Sequence, residues 1–409
     1  MDRRAILQPQ LGPYHSALLH IVRSAGSHVV DGDGRDLLDL NGGYWNVALG
    51  YGASGLIEAA SEAFRRLSFA HLYRRTHEPA VHLARLLHSL SAPGTCEKVL
   101  YSNDGTGAAE TALRLVLRWS EYRSLSDPVI VVLKGAYHGD SLVVREIGDY
   151  PTGERHVTIP GVRIERVFAP DAGARTGAVK QAVAKLRTVV ETESVAAIFA
   201  EIIQGVAGVR VIHPAFLREM NRISTTSDAL FVLDEIATGI GRTGRMFASE
   251  HYDLTPDITL IGKGITGGFF PLGVTLAGKR VRPILRTEFQ HGHTTSGHPV
   301  GCAIAIKVLT CLAERGTLQA VHTLGSWAQS ELRRHLKGIA TISGLGLLIG
   351  LNVSSTRHAS RIRSALQEAN ILIGQEASVL TIVPPLNIEA NEFRQAITQV
   401  IDVMRRLSV

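Results

Sequence analysis

The stretch ALFVLDEIATGIGRTGRMFASEHYDLTPDITLIGKGITGG, residues 229–268, decides the fold. It contains two short apolar runs, each leading to a charged side chain: Asp234 ends the first, and Lys263 follows the second. Runs of this length, apolar on both faces, read as strands of a sheet covered on both sides. Working outward, KVLYS (98–102), PVIVVLKGAYH (128–138) and VAAIFAEI (195–202) repeat the pattern. Helical spacing fills the intervals at 106–119 and in AFLREMNRIS (215–224). Strand and helix alternating in this way predict an α/β domain built on a mostly parallel sheet.

Toward the N-terminus, HVVDGDGRDLLDL (28–40) turns at Asp31–Gly34 as a hairpin would, and 54–69 and 78–90 carry helical spacing. A helix is expected from Pro299. Beyond it GLGLLIGLNVSS (344–355), ASRIRSALQEANILI (359–373) and SVLTIVPPL (378–386) mix helix, strand and hairpin. The expected division is 1–50 as the N-terminal part of a small lobe, 51–315 as the large domain, and 316–409 as a smaller α+β domain.

The 409 residues are 45% hydrophobic and 20% charged, which is globular composition and long enough for a large core. The three cysteines form no CxxC pair, so neither a disulfide framework nor a cysteine metal site is indicated, and a reducing cytoplasm fits. No signal-like run opens MDRRAILQPQLGPYHS, and no later segment reaches membrane-spanning length. The net charge of +6 is scattered among acids without a basic patch or reader motif, which argues against nucleic acid. His291, His293 and His298 lie close together, but a metal is not expected. Only eight of the 43 basic residues are lysine, so a lysine at the end of an apolar strand calls for a reason.

In open α/β sheets ligands collect at the carboxyl ends of strands. Four segments fall at such ends. SNDGTGAAE (102–110) joins a strand to a helix, and its backbone N–H groups could receive a phosphate; alone, it is equally an ordinary turn. Tyr137 in GAYHGD (135–140) could lie flat on a heteroaromatic ring or be a half-buried core aromatic. Asp234 must be solvated, hydrogen-bonded or paired, and a protonated pyridine nitrogen would pair it. Lys263, if desolvated, becomes a nucleophile toward an aldehyde. A phosphate cradle, a stacking ring, a carboxylate and an imine-forming amine together specify pyridoxal 5'-phosphate.

These segments resemble the class III aminotransferases, fold type I enzymes dependent on pyridoxal phosphate. DEIATGIGRTGRMFASEHYDLTPDITLIGKGITGGFFPLG (234–273) looks like that family's long signature, with 29 residues separating Asp234 from Lys263. EIIQGVAG (201–208) and HGHTTSGHPVGCAIAI (291–306) resemble two further family segments. The resemblance implies that Lys263 tethers the cofactor and acts as general acid and base, while Asp234 pairs with the ring nitrogen. It places Ile236 and Tyr137 on the two ring faces and Gly105 and Thr106 at the phosphate. Thr294 would reach the phosphate from the partner chain of a homodimer with shared sites. A small-molecule amine donor and a carbonyl acceptor would be the partners.

Family members that take ordinary amino or keto acids carry a glutamate and an arginine where this chain has Val206 and Thr381. DEIATG and AYHGD look most like diaminopelargonate-synthase-like members, although ILIGQEASVLTIVPP (371–385) contains no arginine. Tyr44 and Trp45 of NGGYWN would wall the substrate channel together with Val206 and Thr381. The implied activity is amino transfer to a ketone or aldehyde of a specialised natural-product intermediate, including a peptide-borne one. The alternatives are a transaminase using S-adenosylmethionine or lysine as donor, or racemisation or decarboxylation on the same cofactor.

Overall fold

Residues 18–149, 158–286, 289–314 and 316–408 are described by the computed structural model. The opening stretch expected to lack a signal lies outside them. The apolar runs become a seven-stranded sheet: β1 (Lys98–Ser102), β2 (Val129–Leu133), β3 (Arg163–Val167), β4 (Val195–Glu201), β5 (Leu230–Asp234), β6 (Ile258–Ile261) and β7 (Gly273–Ala277). Their order is β1-β7-β6-β5-β4-β2-β3. Every residue of the five inner strands is buried, whereas the edge strands β1 and β3 begin exposed at their charged first residues, Lys98 and Arg163. Pairing is parallel except at β7, which runs antiparallel between β6 and β1. The predicted α/β architecture with a mostly parallel sheet is therefore found. What sequence patterning lacked was β7 and β3: a run such as GVTLA states burial but not direction.

The helix Gly105–Tyr122 begins three residues after β1 and buries Ala108, Ala109, Ala112, Leu115 and Val116. Those small residues let it lie close on the sheet, where Thr275 Oγ1 of β7 donates to the Ala108 carbonyl at 2.9 Å. Gly273 allows the approach: a β-carbon there would sit 1.8 Å from the Asp104 carbonyl oxygen.

The smaller α+β lobe is assembled from both ends of the chain. Strands Ile21–Ala25, His28–Asp31 and Asp36–Asp39 form the expected hairpin and its neighbour, and Ile371–Leu372 joins them parallel to Asp36–Asp39. A second sheet orders Thr341–Leu345, Leu348–Asn352, Val379–Ile382 and Gly374–Glu376. Helices Thr317–His335, Thr356–Glu368 and Ala390–Leu407 cover it.

Gly325, inside the helix Thr317–His335, is set against the turn of the Thr341–Asn352 hairpin, where a β-carbon would lie 2.1 Å from the Gly346 carbonyl oxygen. Alanine would gain about 1 kcal/mol of helix propensity. Because the obstacle is backbone, the helix must instead move off the hairpin, at the roughly 1–3 kcal/mol typical of overpacking. Gly325→Ala is expected to lower unfolding stability in urea, and an unchanged or raised midpoint would refute this packing account.

Candidate active site

The carboxyl ends of β1, β2, β4, β5 and β6 open into a cavity of about 640 Å³ lined by Lys263, Asp234, Gly105, Thr106, Tyr137 and Ile236, among others. Sheet register brings these residues together. Asp234 pairs with Glu201 on β4 and with Leu260 on β6, three residues before Lys263.

Lys263 starts a short 3-10 turn, Lys263–Thr266, with φ of +41°. Gly262 before it packs against Gly105 and Ile236, so strand end, phosphate-loop candidate and ring-face candidate meet at one point. Its Nζ lies 5.1 Å from the centre of the Trp45 ring. Burial pushes the ammonium below its ordinary range, opposed by the charges of Asp234, Glu201 and Glu376.

Asp234 Oδ1 accepts the Ile236 N–H at 2.9 Å, and its Oδ2 lies 2.8 Å from Nδ1 of the buried His138. An ionised carboxylate only accepts, so His138 Nδ1 carries the proton. Burial disfavours the imidazolium, but the hydrogen bond and charge of Asp234, with Glu201 adding, raise its pKa overall. Glu201 is pushed up to about 7, chiefly by burial, with His138 opposing and Asp234 reinforcing. Its carboxyl accepts the Tyr137 N–H at 3.0 Å and thereby positions the aromatic segment. Neither His138 nor Glu201 was singled out from sequence, although both lie inside the quoted segments GAYHGD and EIIQGVAG. The available signal was the polarity of Glu201 at the end of an apolar strand, and for His138 its place in the loop that follows one. Glu235, next to Asp234, faces away and accepts the Ala248 and Ser249 N–H groups at 2.6 and 2.8 Å; burial pushes it up to about 7.

At the phosphate-loop candidate, Asp104 caps the helix by accepting the Gly107 N–H at 2.7 Å, and Gly105 and Thr106 open the first turn toward the cavity. Gly139 fits against Thr106 only without a side chain, since a β-carbon would lie 2.7 Å from Thr106 Oγ1.

Trp45 and Val206 line the cavity. The Trp45 ring lies on Gly205, where a β-carbon would come within 2.4 Å of it. Tyr44 is exposed and stacks outside Trp45, with centroids 6.1 Å apart and planes 12° apart. Unlike Trp45, it does not line the cavity, which departs from its expected place. Thr381 departs from its expected place in the channel. The strand Val379–Ile382 pairs Thr381 with Gly350 and Gly374, and its buried hydroxyl packs over Gly374, away from the cavity lining. Thr294 is exposed and lies outside the cavity of its own chain, while its neighbour Thr295 bonds to Asn103 at the cavity edge at 3.1 Å.

A half-buried amine near a carboxylate that accepts a histidine proton, with a helix N-terminus opening on the same cavity, suits an enzyme that binds an aldehyde cofactor bearing a phosphate and a basic ring nitrogen. The residues present fit pyridoxal phosphate. Residues 12–404 match the family model described as Aminotransferase class-III, and the chain belongs to this family of pyridoxal-phosphate-dependent enzymes. It is 29% identical over 406 residues to a putrescine–pyruvate aminotransferase of Pseudomonas aeruginosa, covering 92% of this chain and 88% of that protein. It is 30% identical over 353 residues to a vanillin aminotransferase of Capsicum frutescens, covering 81% and 76%. An amine transaminase from an uncultivated Pseudomonas species, solved in its PLP-bound form, shares the fold with a TM-score of 0.91 at 24% identity over 98% of each chain.

The raised acids make stability depend on pH. Glu201 binds its proton in the fold up to about pH 7, against 4.5 for an ordinary glutamate. The folded state therefore holds more protons across that window, and stability falls as pH rises through it, by up to about 3 kcal/mol for this group. Glu235 and the raised His138 act in the same direction. The depressed Lys263, His77, His251, His291 and His298 act the other way, so the comparison with Glu201→Gln isolates this group: between pH 5 and pH 8 the thermal midpoint of the cofactor-free wild type should fall relative to that of the variant. A difference between the two proteins that does not change over this interval would contradict the assignment.

Proposed function

We propose that this aminotransferase delivers an amino group from an amine donor to a ketone or aldehyde of a specialised intermediate, including a peptide-borne one, rather than exchanging simple α-amino and α-keto acids. One observation carries the reading: among the described residues, Lys263 is the only lysine or arginine lining the cavity, so no guanidinium stands ready for a substrate carboxylate. Val206 stands where acid-using members carry glutamate, and Thr381 where they carry arginine. Losing both is physically coherent, because a glutamate left without its arginine would be a buried unpaired charge. One relative is named for putrescine, a diamine, and another for vanillin, an aromatic aldehyde.

When bound, pyridoxal phosphate supplies an electron-withdrawing ring that weakens the bond between the substrate's amine-bearing carbon and its hydrogen. The chain's own residues do the rest. Lys263 would hold the cofactor through its amine, and its Nζ, once free, would take the proton from the substrate carbon. Asp234, fixed by His138 and the Ile236 N–H, would hold negative charge against the ring nitrogen. Gly105 and Thr106 would receive the phosphate at the helix start, and Tyr137 and Ile236 would pack on the ring. Thr294 of a second copy completes the phosphate site, which makes the working unit a homodimer. Two half-reactions in one site follow, the acceptor entering after the first carbonyl product leaves. The three unpaired cysteines fit a reducing cytoplasm. A diaminopelargonate-synthase-like reaction with S-adenosylmethionine or lysine as donor is the competing substrate assignment.

Lys263→Ala should lose the visible absorption band of the lysine-linked cofactor and cut multiple turnover by about a thousandfold or more. Near-normal turnover in this variant would remove the central role given to Lys263. Assays of the wild-type enzyme against aldehydes, ketones and keto acids test the substrate reading, which fails if only simple α-keto acids act as acceptors.

A further inference from the structure

Trp45 does more at this site than bound the cavity. Its ring is buried, and Lys263 Nζ stands over it at 5.1 Å from the ring centre. That is inside the roughly 6 Å within which an aromatic face attracts an ammonium, and indole attracts most strongly. Asp234, Glu201 and Glu376 act on the same amine through their charge, and Asp104, Tyr137 and His138 also line the cavity. The helix Pro299–Ala313, packed against the turn Lys263–Thr266, brings the thiols of Cys302 and Cys311 and one charged side chain, Lys307, which lies against Gly55.

The ring is fixed from two sides. Toward the sheet, a β-carbon at Gly205 would lie 2.4 Å from it, so it reaches this place only because residue 205 has no side chain. On its own side, Trp45 has φ of +72° at the end of the left-handed turn Gly42–Trp45, which an aromatic residue keeps only under constraint. Asp39 provides that constraint, since its Oδ2 accepts both the Gly43 N–H at 2.8 Å and the Tyr51 hydroxyl at 2.7 Å. Tyr51 is anchored in turn by its backbone, which exchanges hydrogen bonds with Gly26 at 2.7 and 2.9 Å. A channel wall needs only bulk, which an unstrained residue supplies. Strain held in place by a buried carboxylate calls for a function of the ring itself.

The chemistry gives it one. When Lys263 takes the proton from the substrate carbon, the C–H bond breaks, its electron pair stays with the substrate and the cofactor ring, and a new N–H bond forms at Nζ. The amine is then an ammonium in a site whose burial disfavours charge. We infer that Trp45 is a positioning residue for Lys263, its π face supporting the ammonium during proton transfer, and that the hydrogen bond between Tyr51 and Asp39 holds the ring there. This rests on the acid and base role given to Lys263 above and is independent of which amine is the donor.

The test reads Lys263 directly in the cofactor-free full-length protein. Trace acetylation by acetic anhydride from about pH 6 to 10, quantified by peptide mass spectrometry, gives the midpoint at which Nζ loses its proton. Of the eight lysines the other seven report whether each variant keeps the wild-type fold. Trp45→Leu keeps apolar bulk but removes the π face, and should lower the midpoint by about half a pH unit or more, with Trp45→Phe lowering it by less. Tyr51→Phe loses only the hydroxyl bound to Asp39 and should shift the midpoint in the same direction. In the loaded enzyme the pH profile of kcat should move down with the midpoint in Trp45→Leu, whereas loss of a mere wall would change KM and leave the profile in place. An unchanged midpoint in Trp45→Leu, or equal falls in the leucine and phenylalanine variants, would overturn the role of the ring. An unchanged midpoint in Tyr51→Phe removes the part given to Tyr51 and Asp39. Should the leucine variant fail to fold, Trp45→Phe decides alone, and a midpoint equal to that of the wild type sinks the inference. Normal turnover in Lys263→Ala would instead remove the role of the lysine, whatever the midpoints show.

Discussion

Holding an amine, two carboxylates and an imidazole together away from water is the constraint on which this protein depends. An isolated buried charge is penalised by several kcal/mol, so such groups persist only by sharing protons and hydrogen bonds. Register does the sharing here. Parallel pairing of β4 with β5 sets Glu201 beside Asp234, and the loop after β2 brings His138 Nδ1 to the free side of the Asp234 carboxylate. The consequences have opposite signs on neighbouring groups: the Glu201 acid is held up and the Lys263 ammonium is held down. Both shifts favour neutral forms, as a dry site requires. His138 shifts the other way because Asp234 touches it directly, and its contact gives Asp234 a partner it can keep ionised.

Much of this was legible before any coordinates. Asp234 and Lys263 stood out because a charged residue at the end of an apolar run must be explained, and both line the cavity. The α/β class followed from run length, and the burial of the five inner strands accounts for why it did. His138 and Glu201 were less visible, since their importance lies in a contact between loops rather than in a pattern along the chain. Thr381 illustrates the opposite error. Its place in a motif suggested the channel, but every residue of its strand is buried and none lines the cavity.

The wall over the site is made differently from its floor. Gly42, Gly43, Tyr44 and Trp45 all have positive φ, a left-handed turn that is strained at the two aromatic positions. Such a turn persists only where its surroundings over-determine it. Asp39 supplies part of that by accepting the Asn41 and Gly43 N–H groups and the Tyr51 hydroxyl, at 2.9, 2.8 and 2.7 Å. Gly42 supplies the rest, because a β-carbon there would lie 2.4 Å from the Val383 carbonyl oxygen. No helix or strand propensity announces such a turn, which is why NGGYWN was read for its aromatics and not for its shape.

The rim is then coupled to the sheet by Arg242, a buried guanidinium that donates to carbonyl oxygens. Its Nη1 donates to Leu347 at 3.1 Å and to Pro384 at 2.6 Å, and burial pushes its pKa down to about 9. Pro384 follows Val383, whose N–H donates to the Leu40 carbonyl at 2.6 Å just before the strained turn. A side chain from the loop after β5 therefore joins two segments of the small lobe beside the turn that covers the site. Side chains on the rim can change without disturbing the bonds that hold Asp234, because those bonds come from His138 and the Ile236 amide. The bonds that orient Asp234 and the bonds that hold the strained turn over it are thus carried by separate parts of the fold.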